Sequence, residues 1–204
     1  MSFLSLSTGA LAGIIVAAVL VFLLIAVVFW YISTKNSLIS LRNDMEESYS
    51  AMDVQMKKRY DLIPNLVETC KGYAKFESDT FTRVTKARSV AIAASPEQKA
   101  EAEKELTSSL RTFLHAVQEQ YPELKANSQF NNLSRQLEEL EEEISRSRKY
   151  YNAKVKIVNN KIEKFPSSIV AGRMHMERYR YFELDDISER KAPKVDFGTS
   201  DSSL

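Results

Sequence analysis

The spacing of hydrophobic positions along this chain changes character once. From Ala10 to Ile32 the run ALAGIIVAAVLVFLLIAVVFWYI carries no strongly polar side chain, and the first charge is Lys35. A helix over this run would be about 35 Å long, enough for a hydrocarbon core of about 30 Å. Beyond it, apolar residues recur at intervals of three and four. Leu38, Leu41, Met45, Met52, Met56, Ile63, Leu66, Cys70 and Tyr73 keep one phase, which predicts an amphipathic helix facing a core. Pro64 lacks a donor and crowds the preceding turn. The phase nevertheless passes through it, which favours a kinked helix over a break. The stretch from Gly72 to Asp79 is the other place to turn, and the pattern does not choose between them.

A second helical stretch runs from about Phe81 to Ala94. Ser95-Pro96-Glu97-Gln98 then predicts a helix start, with serine capping, proline at the first position and glutamine reaching back. Leu106, Leu110, Phe113, Val117 and Tyr121 share one face of that helix, and Pro122 closes it. Asn127 or Ser128 can cap the last long helix. Its stripe is Phe130, Leu133, Leu137, Leu140, Ile144, Tyr151, Val158, Ile162 and Phe165, over roughly 38 residues or about 57 Å. An apolar seam of that length needs a partner along its whole course. From Pro166 the pattern stops. Residues 167–184 read as a segment folded against the bundle end, and residues 185–204 as a polar mobile tail.

These elements predict an all-α fold in which a single N-terminal transmembrane helix is followed by an elongated antiparallel helical bundle. The expected divisions are a short N-terminal segment (1–9), the span (10–34), the bundle with its C-terminal cover segment (35–184) and the tail (185–204). Five Gly and five Pro in 204 residues agree with few turns.

Charge changes the picture only locally. Lys and Arg total 28 against 27 Asp and Glu, so no global field selects nucleic acid, and none is expected as a partner. The lone Cys70 rules out an intrachain disulfide framework or a Cys-rich zinc site and reads as a small buried residue. The span is expected to be a retained anchor. A cleavable signal would want a basic start, a shorter apolar core and small residues where Phe29, Trp30 and Tyr31 stand. Trp30 and Tyr31 suit the lipid headgroup level. Lys35 and Arg42 follow the span and no basic residue precedes it, which puts the N-terminus outside and the helical domain in the cytoplasm. Gly9, Gly13 and Ala17 form a small-residue face at the spacing used by paired membrane helices.

The densest charge lies in EELEEE, residues 138–143. Leu137, Leu140 and Ile144 mark the core face, so Glu138, Glu139, Glu141, Glu142 and Glu143 are placed mostly in water. Glu142 is set to pair with Arg146, and Arg135 with Glu138 or Glu139, each worth some 0.2–0.5 kcal/mol. The rival reading, a carboxylate-bridged metal pair inside a bundle, wants Glu-x-x-His on two helices. The chain has none, and His115 and His175 lie in different segments. No metal or cofactor is expected. Nor does GxSxG, HExxH, GxxxxGK[ST] or GxGxxG occur. His115, beside the apolar Leu114, reads as a partly buried structural residue. Lys57, Lys58 and Arg59, diluted by Asp53 and Asp61, read as a solvated face. The segment RMHMERYRYF, residues 173–182, is expected to cover the open end of the bundle with its apolar members; docking on an acidic partner or anionic lipid is the competing reading.

From Val54 to Gly172 the chain resembles the LemA family. The words that carry the resemblance are VQMKKRYDLIPNLVETCKGYAKFE, YPELKAN and RKYYNAKVKIVNNKIEKFPSSIVAG, with an uncleaved membrane helix ahead of them. The resemblance implies a single-pass membrane protein with an antiparallel helical bundle, and it supplies no catalytic residue. After Gly172 this sequence departs from the family pattern of an apolar, aromatic run, having Arg173, Met174, His175 and Met176 instead.

The functional expectation is a membrane-anchored helical scaffold, coiled-coil-like in its packing, with no catalysis of its own. It touches lipid through its first helix and binds other membrane proteins or its own copies as a homo-oligomer. An accessory subunit of a membrane peptidase or envelope stress system is the alternative. Tyr150, Tyr151, Asn152, Asn159, Asn160, Phe165, Pro166 and Ser167 are the expected interaction or structure-fixing positions, the asparagines through hydrogen bonds between helices of the bundle.

Overall fold

A computed structural model of the chain describes residues 8–71 and 78–182. The described residues form helices α1 (Thr8–Lys71), α2 (Ser78–Ala93), α3 (Lys99–Gln120), α4 (Pro122–Ala126), α5 (Ser128–Glu163) and α6 (Ser167–Arg173), with no strand among them. Tyr73, the Gly72–Asp79 turn up to residue 77, and the tail at 185–204 lie outside the described residues.

α1 has 64 residues, about 96 Å at the helical rise. From Leu11 to Trp30 its side chains are exposed, and this part is long and apolar enough to cross a membrane. Thr34 is already buried. The expected boundary between span and bundle therefore falls inside one unbroken helix, with no linker.

α1 also runs through Pro64. Proline has no N–H to give to the carbonyl four residues back, which here is Tyr60. Arg88 of α2 supplies the missing donor, its Nε lying 2.7 Å from the Tyr60 carbonyl oxygen. The first turn of the bundle accordingly comes after Lys71.

α1 and α5 pack antiparallel. Leu38 shares a cluster with Val170 and Ala171 near the apolar end, Met45 meets Val155 and Val158 further along, and Arg59 reaches Glu141. α2 and α3 form a hairpin on the distal part, where Met52, Met56, Ile63, Leu66, Val84, Leu106, Phe113, Phe130 and Leu137 make the main core. The molecule is thus a distal head of α1, α2, α3 and α5 on a narrower stalk of α1 and α5. Cys70 is buried at the far end of α1, and burial pushes its thiol up to about 11.

Three local expectations are corrected. The Ser95–Gln98 stretch is a turn, with the Gln98 N–H on the Ser95 carbonyl and the Ser95 hydroxyl on Glu97, so α3 starts at Lys99 without a side-chain cap. Asn127 does cap α5, its Oδ1 accepting from the N–H groups of Gln129 and Phe130. Phe165 ends the predicted stripe but is exposed, while Val155, outside that stripe, is fully buried. Finally, the segment after α6 does not close the bundle end. It runs along the side of the stalk.

Candidate functional site

Two polar assemblies hold this architecture. The first lies where α1, α3 and α5 meet. Arg59 is 0% exposed. Its Nη2 donates to Glu103 of α3, and its Nη1 donates to Glu141 of α5 and, at 2.8 Å, to Thr107. The Tyr60 hydroxyl donates to the other oxygen of Glu103, and Thr107 donates to the second oxygen of Glu141 at 3.2 Å. Lys99 sits 5.3 Å over the Tyr60 ring and donates to the Ala91 carbonyl. Burial raises the Glu103 carboxyl above its ordinary value, with Arg59 and then Tyr60 drawing it back. Burial and the bond to Glu103 raise the Tyr60 phenol. Two cations and two carboxylates balance inside the cluster. Breaking one member of such a pair costs about 3–5 kcal/mol because its partner is left charged and buried. The cluster therefore penalises any register of the three helices except this one.

Arg59 and Glu141 correct two expectations, since both were placed in solvent. Arg59 occupies the stripe position between Met56 and Ile63, and Glu141 follows Leu137 by four. Glu103 likewise precedes Leu106 by three. The missed signal was the phase: three charges stand where the periodicity asks for apolar residues. The other glutamates behave as expected. Arg146 lies 2.6 Å from Glu143 and 4.0 Å from Glu142. Arg135, however, bonds Asn132 rather than Glu138 or Glu139.

The second assembly begins where α6 stops. The Met176 N–H bonds the Ala171 carbonyl and the His175 N–H bonds that of Gly172, the double closure of a Schellman motif. His175 stands at the left-handed position with φ 50°. The chain turns back and runs as an extended strap from Met176 to Phe182 along α5. Asn159 donates to the Tyr179 carbonyl and accepts from the Tyr179 N–H, both at 2.9 Å. Asn152 does the same with Phe182, at 3.1 and 2.8 Å. The Tyr151 hydroxyl reaches the Arg180 carbonyl at 3.4 Å.

The spacing explains why this works. Seven helical residues rise about 10.5 Å and three extended residues cover about 10 Å, so the two amides meet every third residue of the strap. Each amide offers one acceptor and one donor, as a neighbouring strand would. Met176, Tyr179 and Tyr181 fill the α1–α5 groove of the stalk, and Phe182 enters the main core. Asn152 and Asn159 thus bond a strap, not a neighbouring helix of the bundle.

The remaining expected positions separate. Ser167 is buried and donates to the Lys161 and Lys164 carbonyls at 2.7 and 2.8 Å, closing the end of α5. Phe165 and Pro166, joined by a cis peptide bond, form the exposed α5–α6 corner. Tyr150 is exposed, with Lys154 5.3 Å over its ring, and Asn160 faces solvent. Ala17 is exposed on α1, and a side chain added at Gly13 would meet open space; Gly9 belongs to the same helix. His115 is exposed and 3.4 Å from Glu119, correcting its expected burial. Among the described residues no three His, Cys, Asp or Glu side chains gather into a metal-ligating group.

A profile of the LemA family matches residues 48–197. Protein LemA of Metamycoplasma hominis is 27% identical over 174 residues, covering 85% of this chain and 77% of that protein. The matched span contains the buried cluster, the strap-binding Asn152 and Asn159, and the α5–α6 corner.

Proposed function

This chain belongs to the LemA family, and from that premise we propose that it is a single-pass, membrane-anchored helical scaffold that holds a rigid head at a fixed distance from the bilayer and has no catalysis of its own. The observation that carries this reading is the continuity of α1, whose exposed apolar part passes into the bundle at Thr34 without a break. An apolar run that none of the described residues covers needs lipid around it. The two carboxylates that meet at Arg59, Glu103 and Glu141, are taken up by Arg59, Tyr60 and Thr107, an arrangement suited to holding helices rather than moving protons. Lys35 and Arg42 at the exit of the span, with no basic residue before it, support a cytoplasmic head. Its contacts with other membrane proteins or with further copies run through the exposed faces of the rod.

The test is photocrosslinking in intact membranes from positions along the head and stalk, with Tyr150 as one site, followed by identification of what is captured. Reproducible capture of specific membrane proteins or of further copies supports the scaffold. Release of the full chain by alkaline carbonate removes the anchor. Turnover by the purified protein that is lost with a single ionisable side chain replaces the scaffold with an enzyme. Protease added to vesicles of known sidedness reads the orientation.

A further inference from the structure

The stalk begins where the apolar run ends, and the elements at that junction form a surface that is exposed among the described residues. Trp30 and Thr34 of α1 line one groove of about 500 Å³ together with Lys161, Lys164, Phe165, Pro166 and Ser167. The α5–α6 corner therefore lies at the level of the last turns of the apolar run. Tyr31 packs on the Leu38, Val170 and Ala171 cluster, which fixes α6 to the same turns. At this corner Phe165 is 80% exposed and Ile169 is 53% exposed. Their exposure is not fraying, because the two bonds from Ser167 tie the corner to the last carbonyls of α5. Lys164 is exposed beside it in the groove and Lys161 is partly so, Arg173 is exposed four residues beyond Ile169 on α6, and the acidic Glu163 is engaged by Arg178 at 3.5 Å.

Two large apolar side chains flanked by two lysines, beside a tryptophan at the mouth of a lipid-length helix, match one environment. An aromatic ring is stabilised at the boundary of headgroups and acyl chains, and cations there meet lipid phosphate. We propose that the α5–α6 corner docks on the surface of the bilayer that α1 spans, with Phe165 and Ile169 entering the headgroup boundary and Lys161 and Lys164 taking anionic lipid phosphate. This rests on α1 being a membrane span. The protein would then hold its membrane at two points, the helix and the corner, which fixes rotation of the stalk as well as its depth.

The experiment is collision-based spin labelling of the full chain in liposomes, in a Cys70→Ala background. Single labels are placed through Phe165→Cys, Ile169→Cys, Val21→Cys in the span and Tyr150→Cys higher on α5. The expected result is a several-fold lower collision rate with a water-soluble nickel chelate at 165 and 169 than at 150. Adding phosphatidylglycerol to phosphatidylcholine should lower it further, and the pair Lys161→Gln with Lys164→Gln should abolish that increment. Labels at 165 and 169 as accessible as the one at 150, with 21 shielded, overturn the docking and leave the anchor standing. Access of the chelate to 21 overturns the anchor itself. Spin–spin broadening at 165 that disappears on dilution with unlabelled protein assigns the corner to a second copy and overturns the lipid assignment.

Discussion

Arg88 donates its Nε–H to the Tyr60 carbonyl, the acceptor that Pro64 leaves without an amide four residues on. A side chain from a neighbouring helix thus completes the ladder of α1, and the helix continues where its own backbone could not finish the bond. A hydrogen bond of this kind from a charged donor contributes about 1.5–3 kcal/mol. Arg88→Met should lose an amount in that range in urea unfolding followed by circular dichroism. The loss should shrink by half or more in a Pro64→Ala background, where the backbone supplies its own donor. Equal losses in both backgrounds would mean that Arg88 acts through something other than the orphan carbonyl.

The Arg59 cluster makes an asymmetric prediction. Arg59→Met leaves the Glu103 carboxylate buried without its cation and should cost about 3–5 kcal/mol. Adding Glu103→Leu removes the stranded charge and should restore most of that loss. Unfolding curves of the two variants and the wild type measure the recovery, and a double variant no better than the single one would show that packing rather than charge carries the penalty.

For the strap, Asn159→Asp is more informative than Asn159→Ala. Aspartate keeps an acceptor for the Tyr179 N–H but sets an oxygen against the Tyr179 carbonyl. Either change removes hydrogen bonding worth about 0.5–1.5 kcal/mol per bond. Trypsin should then cut at Arg178 and Arg180 faster than in the wild type, read by mass spectrometry, while the unfolding midpoint of the head stays nearly unchanged.

His175→Gly should stabilise. The left-handed conformation at φ 50° costs a residue with a β-carbon about 1 kcal/mol, and glycine adopts it freely. The gain should appear as slower trypsin cleavage of the strap, since His175 sets the turn from α6 into it.

The pH dependence has a definite sign. Burial raises the Cys70 thiol to about 11 from 9.0 and raises the Tyr60 phenol as well. Both groups stay protonated in the native protein at pH values where the unfolded chain has ionised. Their contribution is full below about pH 9 for the thiol and about pH 10 for the phenol, and it is lost as pH rises through the native values. Stability should therefore fall between pH 9 and 11, by on the order of 1–3 kcal/mol for the thiol. Cys70→Ala should flatten this limb in unfolding curves taken at stepped pH.

Helices were legible in the sequence because their cores impose a period, and Met52, Met56, Ile63, Leu66 and Cys70 announced the buried face of α1 without help. The same period, followed strictly, would have marked Arg59, Glu103 and Glu141, whose charge hid their phase. Arg88 could not be found this way, because its partner is a carbonyl made available by a proline in another helix. The strap was hidden for a related reason. Tyr179 and Phe182 pair their backbone with the side chains of Asn159 and Asn152, and an extended segment docked on a helix has no rhythm of its own. Ser95 misled because residues 95–98 close a turn, with the Gln98 N–H on the Ser95 carbonyl, and α3 begins only at Lys99.

With α1 anchored as proposed, its unbroken passage from the apolar part into the head makes the protein a lever. From Ile32 to Tyr60 the helix rises about 42 Å, so a change of 20° in the inclination of the span carries the Arg59 knot sideways by about 14 Å. Bilayers differ in thickness, and a span answers a thinner one by leaning. With no joint at the water's edge to absorb that lean, bilayer thickness becomes a position in space that whatever meets the head would feel.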